Sequence, residues 1–198
     1  MNKILPLILI MLLLGGCSIK EITSPIVKYS INDAQAMAVK KPINKILKIS
    51  HIKTSINLQG DSIWYKRDNF ETNSYLYSSW NQNFSNMIED HEADLLYKSG
   101  LFKSVFSSYS KIRYDLVLEG EIVQAVQYIN KKEAKVEFIL RLYLVNAKNS
   151  KLISSKDFSY TRKCKTIDAY GAVKAYNDII KIFDKEVILW LKKSIREN

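Results

Sequence analysis

Alternation of apolar and polar side chains over residues 134–145 is the feature that most constrains how this chain folds. Successive side chains of a β-strand point to opposite faces, so this segment has one apolar and one largely polar face. The apolar face carries Val136, Phe138, Leu140, Leu142 and Leu144. The other face carries Lys135, Glu137, Arg141 and Tyr143. A strand of this kind is typical of an antiparallel sheet that is covered on a single side.

Further strands and two helices are predicted around this segment. Strand-forming patterns occur at residues 27–31, 46–52, 63–67, 70–76, 101–106, 114–129 and 152–162. A first helix is expected to begin at Trp80, with Ser79 as its N-cap, and to end at Gly100. Apolar residues at helical spacing predict a second helix over residues 167–196. The sequence therefore predicts an α+β fold, a mostly antiparallel sheet with two main helices packed on one face.

The N-terminus has the layout of a secretory signal. Lys3 precedes an apolar run over residues 4–14, and Gly15 and Gly16 then lead into Cys17. The run is about 11 residues long, too short for a bilayer core that needs roughly 20. A cysteine directly after small residues resembles the lipobox of bacterial lipoproteins, in which the thiol is acylated and the chain is cut before it. The alternative is an ordinary signal peptide with a chance cysteine at the cut.

The lipobox divides the chain into three parts. Residues 1–16 are predicted to be a signal peptide, residues 17–26 an acylated cysteine with a tether, and residues 27–198 a single α+β domain. Lipid modification at Cys17 would hold that domain on a membrane, because several acyl chains together bind almost irreversibly. Ser18 directly follows the cysteine. In enteric lipoproteins an Asp at this position resembles an inner-membrane retention signal, and a Ser resembles an outer-membrane address.

The net charge and the cysteine content exclude few classes of protein. The net charge of +10 comes from 30 Lys and Arg against 20 Asp and Glu, and Lys accounts for 25 of the 30. An anionic-lipid surface and the codon bias of an AT-rich genome both fit this surplus, whereas an extracytoplasmic address argues against nucleic acid as a partner. If Cys17 carries lipid, Cys164 has no partner, so we expect no disulfide within the chain.

Residues for enzymatic chemistry are few. His91 lies on the apolar face of the first predicted helix, where a packed core histidine is expected, and His51 has no obvious carboxylate partner. The acidic residues of that helix are expected to form a solvated face; they are Glu89, Asp90, Glu92 and Asp94. No glycine-rich phosphate loop and no zinc-ligand spacing is present. We therefore expect no enzyme, no catalytic residue, no cofactor and no metal.

The order of motifs along the chain resembles the ABC-type transport auxiliary lipoproteins, which accompany MCE-domain lipid transporters. In that family an aliphatic-aromatic-Arg strand is followed by a Trp, as residues 63–67, ending in Arg67, and Trp80 are here. The closing segment is also similar to the family's end, through Tyr170, Val173 and Ala175. Asn81 and Gln82 depart from the small residue and Pro that tend to follow the Trp.

The resemblance implies a non-enzymatic lipoprotein at the periplasmic face of the outer membrane. Such a protein docks a periplasmic lipid-transport assembly through an MCE-domain partner, and the family also suggests self-association of the chain. The polar positions Lys135, Glu137, Arg141 and Tyr143 are the first candidate docking surface, because both helices should cover the other face. The alternative is an assembly or activator lipoprotein for a peptidoglycan synthase or a secretion complex.

Overall fold

The structure, a computed structural model, describes residues 25–55, 58–68, 70–107 and 111–196. In chain order its elements are β1 (Val27–Tyr29), β2 (Ile43–Ile49), β3 (Lys53–Thr54), β4 (Ser62–Arg67), β5 (Glu71–Trp80), α1 (Phe84–Ser99), β6 (Phe102–Phe106), β7 (Leu116–Ile129), β8 (Ala134–Asn146), β9 (Leu152–Lys163) and α2 (Ala169–Arg196). The predicted signal peptide and Cys17 lie outside the described residues, and so does most of the predicted tether.

Strand β7 is the axis of the sheet. Along one edge it pairs with β8 in antiparallel fashion over its whole length, and β8 pairs in the same way with β9. Along its other edge β7 pairs in parallel with β2, then β3, then β4. Outside these lie β6 against β2, and β5 followed by β1 against β4.

The two longest pairings are antiparallel and the shorter pairings along β7 are parallel, so the sheet is mixed but mostly antiparallel. Both helices pack on the same face. Phe138 of β8 contacts the ring of Phe84 on α1 at 6.0 Å and that of Tyr176 on α2 at 6.2 Å, measured between ring centroids. The predicted α+β fold is therefore confirmed.

The first helix begins later than predicted. Trp80 is the last residue of β5, where its backbone N–H donates to the carbonyl of Asp61 at 2.7 Å. Asn83 is the N-cap of α1, and its side-chain oxygen accepts from the backbone N–H of Ser85. A tryptophan suits either a strand or a helix, so the pairing with neighbouring strands decides its conformation. The predicted C-terminal end is confirmed, since Gly100 adopts a left-handed conformation with φ of 61°.

The core lies between the sheet and the two helices. Trp80 is only 2% exposed and packs against Phe84 and Tyr176, with ring centroids 4.8 and 5.5 Å away. The apolar positions of β8 named above are all buried in the same core. Because α1 and α2 pack on this side, the more exposed side chains of β8 lie on the opposite face of the sheet.

Candidate docking face and a buried polar cluster

Alternation along β8 places the four predicted docking residues on the face opposite the helices. Lys135 is exposed, and Glu137, Arg141 and Tyr143 are half-buried among neighbouring strands. Residues directly across from them on β7 and β9 share this face, among them Tyr128 opposite Lys135 and Asp157 opposite Arg141. We call the side of the sheet opposite α1 and α2 the open face. Its role in docking stays a prediction.

Charges on the open face are paired with each other. Arg141 donates from Nε and Nη2 to the two carboxylate oxygens of Asp157 at 2.7 and 2.8 Å. The hydrogen bond to Asp157 raises the pKa of the guanidinium, and that from Arg141 lowers the pKa of the Asp157 carboxyl. Lys135 donates to Glu137 at 2.7 Å. The face therefore offers fixed charges in a defined pattern, with half-buried apolar side chains such as Ile139 between them.

A second polar group lies on the covered side, at the contact between α1 and α2. His91 Nε2 and Asp184 Oδ1 are 2.7 Å apart, and both side chains are about 4% exposed. His51 Nδ1 lies 2.9 Å from Glu89 Oε2. Glu92 is 1% exposed, and its two carboxylate oxygens have no hydrogen-bond partner among the residues that the structure describes. Burial, followed by the nearby charges of Glu89 and Asp184, raises the pKa of Glu92 to about 8.

This buried cluster corrects two sequence predictions. Glu89 and Glu92 were expected on a solvated face and are instead buried, while Asp90 is exposed as expected. His51 was expected to lack a carboxylate partner, yet it pairs with Glu89. The prediction of a packed core position for His91 is confirmed by its burial. These contacts could have been recognised only from the tertiary fold. His51 and Glu89 are 38 residues apart in the chain, and His91 and Asp184 are 93 residues apart.

The chemistry of the remaining candidates is limited by their surroundings. Cys164 is buried, and burial raises the pKa of its thiol, which disfavours the reactive thiolate. Within the described ranges, no group of three or more His, Cys, Asp or Glu side chains is arranged to hold a metal ion.

Neither helix of the described chain is long and apolar enough to cross a bilayer. Cys17, the predicted lipidation site, lies outside the described residues.

The fold is shared with solved structures of other proteins. A Xanthomonas campestris protein, XCC0632 of the DUF330 family, superposes with a TM-score of 0.71 at 15% identity, covering 88% of this chain and 96% of its own. An uncharacterized protein superposes with a TM-score of 0.64 at 11% identity, covering 87% and 99%. The hypothetical protein CT253 from Chlamydia trachomatis follows with 0.55 at 7% identity, covering 79% and 100%.

These likenesses define the class of the protein by its fold alone. The identities are too low to carry an activity or a partner from one chain to the other. No protein-family model matches the sequence, and no curated protein matches it either. The arrangement shared with the DUF330 protein is the whole α+β domain rather than a fragment of it, because nearly the full length of that chain is covered.

Proposed function

We propose that this protein is an outer-membrane-anchored, non-enzymatic auxiliary lipoprotein of an ABC/MCE-type phospholipid transport system. Its domain docks the periplasmic transport assembly at the outer membrane. The observation that carries the proposal is the sheet with one face covered by both helices and the other left open with a fixed pattern of charges. The lipobox at Cys17 and the resemblance to auxiliary lipoproteins supply the anchor and the partner.

The open face has the composition of a docking surface. Protein interfaces gain specificity from charges in a complementary pattern and use Arg and Tyr more than other polar residues. Arg141 is held in place by Asp157, and Tyr143 lies next to it on the same face of β8. A partner therefore meets side chains whose positions are already set, which lowers the entropy lost on binding.

A non-catalytic role is supported by the state of the histidines. His91 is locked between the helices by Asp184, and His51 is held by Glu89. Neither arrangement places a nucleophile within reach of the imidazole among the contacts of the described residues. The two pairs join α1 to α2 and to the loop after β2, which is a structural task.

Self-association has a candidate edge in β5. Its last residues pair with β1, but residues 71–77 have no strand on their outer side among the described elements. Leu76 and Tyr77 on this stretch are 79% and 59% exposed. An unpaired edge with apolar side chains is suited to pairing with a second copy of the chain.

Crosslinking in intact cells, followed by capture through this protein, tests the proposal. We expect recovery of an MCE-domain protein, and its loss with the pair of substitutions Arg141→Glu and Tyr143→Ala. Arg162→Glu is the matched control, because Arg162 lies on β9 but points to the helix-covered side, where it pairs with Asp178. Recovery of peptidoglycan synthases or secretion components alone would favour the alternative, an assembly or activator lipoprotein.

The anchor is tested separately by metabolic labelling with a fatty acid. Cys17 should be labelled in the wild type, and Cys17→Ser should abolish labelling and release the protein or leave it unprocessed. Labelling that persists in the Cys17→Ser variant would contradict the lipobox.

A further inference from the structure

Two turns meet at one end of the sheet and carry an exposed aromatic side chain among basic residues. The turn between β4 and β5 and the turn between β7 and β8 are adjacent, since the Asp68 N–H donates to the Ile129 carbonyl at 3.4 Å. Asp68, Asn130 and Glu133 also line one cleft of about 450 Å³. We call this end the tip and define it by Arg67, Asp68, Phe70, Lys131 and Lys132.

Phe70 is the unusual residue of the tip. It is 92% exposed, more than any other large hydrophobic residue that the structure describes, although burial of a phenylalanine side chain is strongly favourable. Its backbone N–H donates to the carbonyl of Arg67 at 3.2 Å, which fixes the turn that presents it. An exposed aromatic ring at a turn is suited to contact with an apolar phase.

The charges around Phe70 have a positive balance. Arg67 lies directly across from Glu71, and Glu133 is paired with Lys163. Lys131 and Lys132 are exposed, and their ammonium groups have no ion-pair partner among the described residues. Lys66 lies nearby on the open face with its ammonium group 5.8 Å from the centre of the Tyr128 ring. Asp68 is the one acid of the tip, so the lysines outnumber it.

The chain also approaches the domain from the direction of the tip. β1 pairs in parallel with the end of β5, from Val27 opposite Ser78 to Tyr29 opposite Trp80. Parallel strands start at the same end, and β5 starts at Glu71, directly after the tip. Val27, the first residue of β1, is therefore the end of that strand nearer to the tip. Nine residues lie between Cys17 and Val27. The ten Cα-to-Cα steps that join the two residues span at most about 36 Å.

We propose that the tip contacts the surface of the membrane, with Phe70 entering the interface and Lys131 and Lys132 binding anionic phospholipid headgroups. The inference rests on the proposed lipid anchor at Cys17. An anchor on a short tether keeps the tip at high effective concentration near the bilayer, so weak contacts suffice. Basic side chains close to an anionic surface and aromatic rings at the interface both favour this orientation. The open face is then held at a fixed angle to the membrane.

Quenching of tryptophan by brominated phospholipids in reconstituted vesicles tests the contact. The lipid-modified chain is purified from cells as Phe70→Trp, with the wild type giving the background from its own three tryptophans. Tyr97→Trp is the matched control, because Tyr97 is 71% exposed on α1, away from the tip. In vesicles that contain phosphatidylglycerol we expect quenching at position 70 and none above background at position 97.

The charge requirement is tested in the Phe70→Trp background. Lys131→Gln with Lys132→Gln should weaken tip contact about 30-fold, as expected for two lysines near an anionic surface. Lys148→Gln with Lys151→Gln, in the turn at the opposite end of β8, should leave quenching unchanged. Vesicles of zwitterionic lipid alone should show the same loss as the Lys131 and Lys132 variant.

Four results would overturn the inference. Equal quenching at positions 70 and 97 would show no preferred orientation, and quenching that ignores both lysines and lipid charge would remove the anionic surface as partner. Absence of quenching at position 70 in an acylated protein that still captures its partner would reject the tip contact and leave the proposed function intact. Absence of acyl chains by mass spectrometry would instead reject the anchor, and this inference with it.

Discussion

Two polar side-chain pairs, one on each side of the sheet, have similar contact distances in opposite surroundings. On the covered side His91 and Asp184 are both about 4% exposed at their side chains. On the open face Arg141 and Asp157 are 38% and 49% exposed. Both pairs have a shortest contact of 2.7 Å, so geometry does not distinguish them. The two pairs differ in the exposure of their side chains to water.

The difference separates stability from recognition. A buried charge is strongly destabilising when its partner is removed, because it cannot recover its hydration. An exposed pair exchanges its partner for water at little cost, and it remains accessible to another protein. Substitutions on the covered side should therefore act on folding, whereas those on the open face should act on binding. The predictions below test this division.

The largest effect is expected at Trp80. Trp80→Ala should lower the free energy of unfolding by about 3 to 5 kcal/mol, because it removes a buried ring and leaves a cavity beside Phe84 and Tyr176. Denaturation by urea measures the change. Tyr97→Ala is the control, since Tyr97 is also aromatic but is 71% exposed on α1. Equal losses for both variants would contradict the assignment of Trp80 to the core.

A pH-dependent effect on stability is expected at Glu92. Its pKa is raised from 4.5 to about 8 in the folded state, so the folded protein keeps a proton that the unfolded chain releases between these values. The wild type should therefore lose stability as the pH rises through this window, by at most about 1.4 kcal/mol per pH unit from this group. Glu92→Gln should remove this part of the dependence.

The two proteins should be similar in stability below the window, and the Glu92→Gln variant more stable near its upper end. Urea denaturation at a series of pH values provides the measurement. Asp90→Asn is the matched control, because Asp90 lies on the same helix and is exposed. A wild type whose stability rises from the lower to the upper end of the window relative to Glu92→Gln would contradict the prediction.

Local patterns predicted the sheet face better than they predicted the contacts between elements. Alternation along β8 is a property of the strand itself, so the side facing the helices could be recognised from Val136 and Phe138. The parallel pairing of β2, β3 and β4 along β7 depends on residues far apart in the chain, and no local pattern encodes it. The same holds for Glu92, whose burial follows from the packing of α1 against α2.

The first residue of α1 could not be predicted from local secondary-structure propensity alone. Trp80 begins the apolar stripe of the helix in sequence, which made it a plausible first residue. Its backbone instead pairs with β1, opposite Tyr29, and strand pairing outweighs a weak local preference. The chain turns into the helix only at Asn83, where a side chain can satisfy a free N–H group.

The smallest effect on stability is expected on the open face. Substitutions there test most directly whether this face acts on binding and not on folding. Arg141→Ala combined with Asp157→Ala removes a complete exposed pair and leaves no unpaired charge behind. Its melting temperature should match that of the wild type, because both groups are hydrated in the folded and the unfolded protein. Thermal melts followed by circular dichroism provide the comparison. A marked loss of stability would mean that the open face contributes to folding, and a weakened partner capture in that variant could no longer be assigned to docking alone.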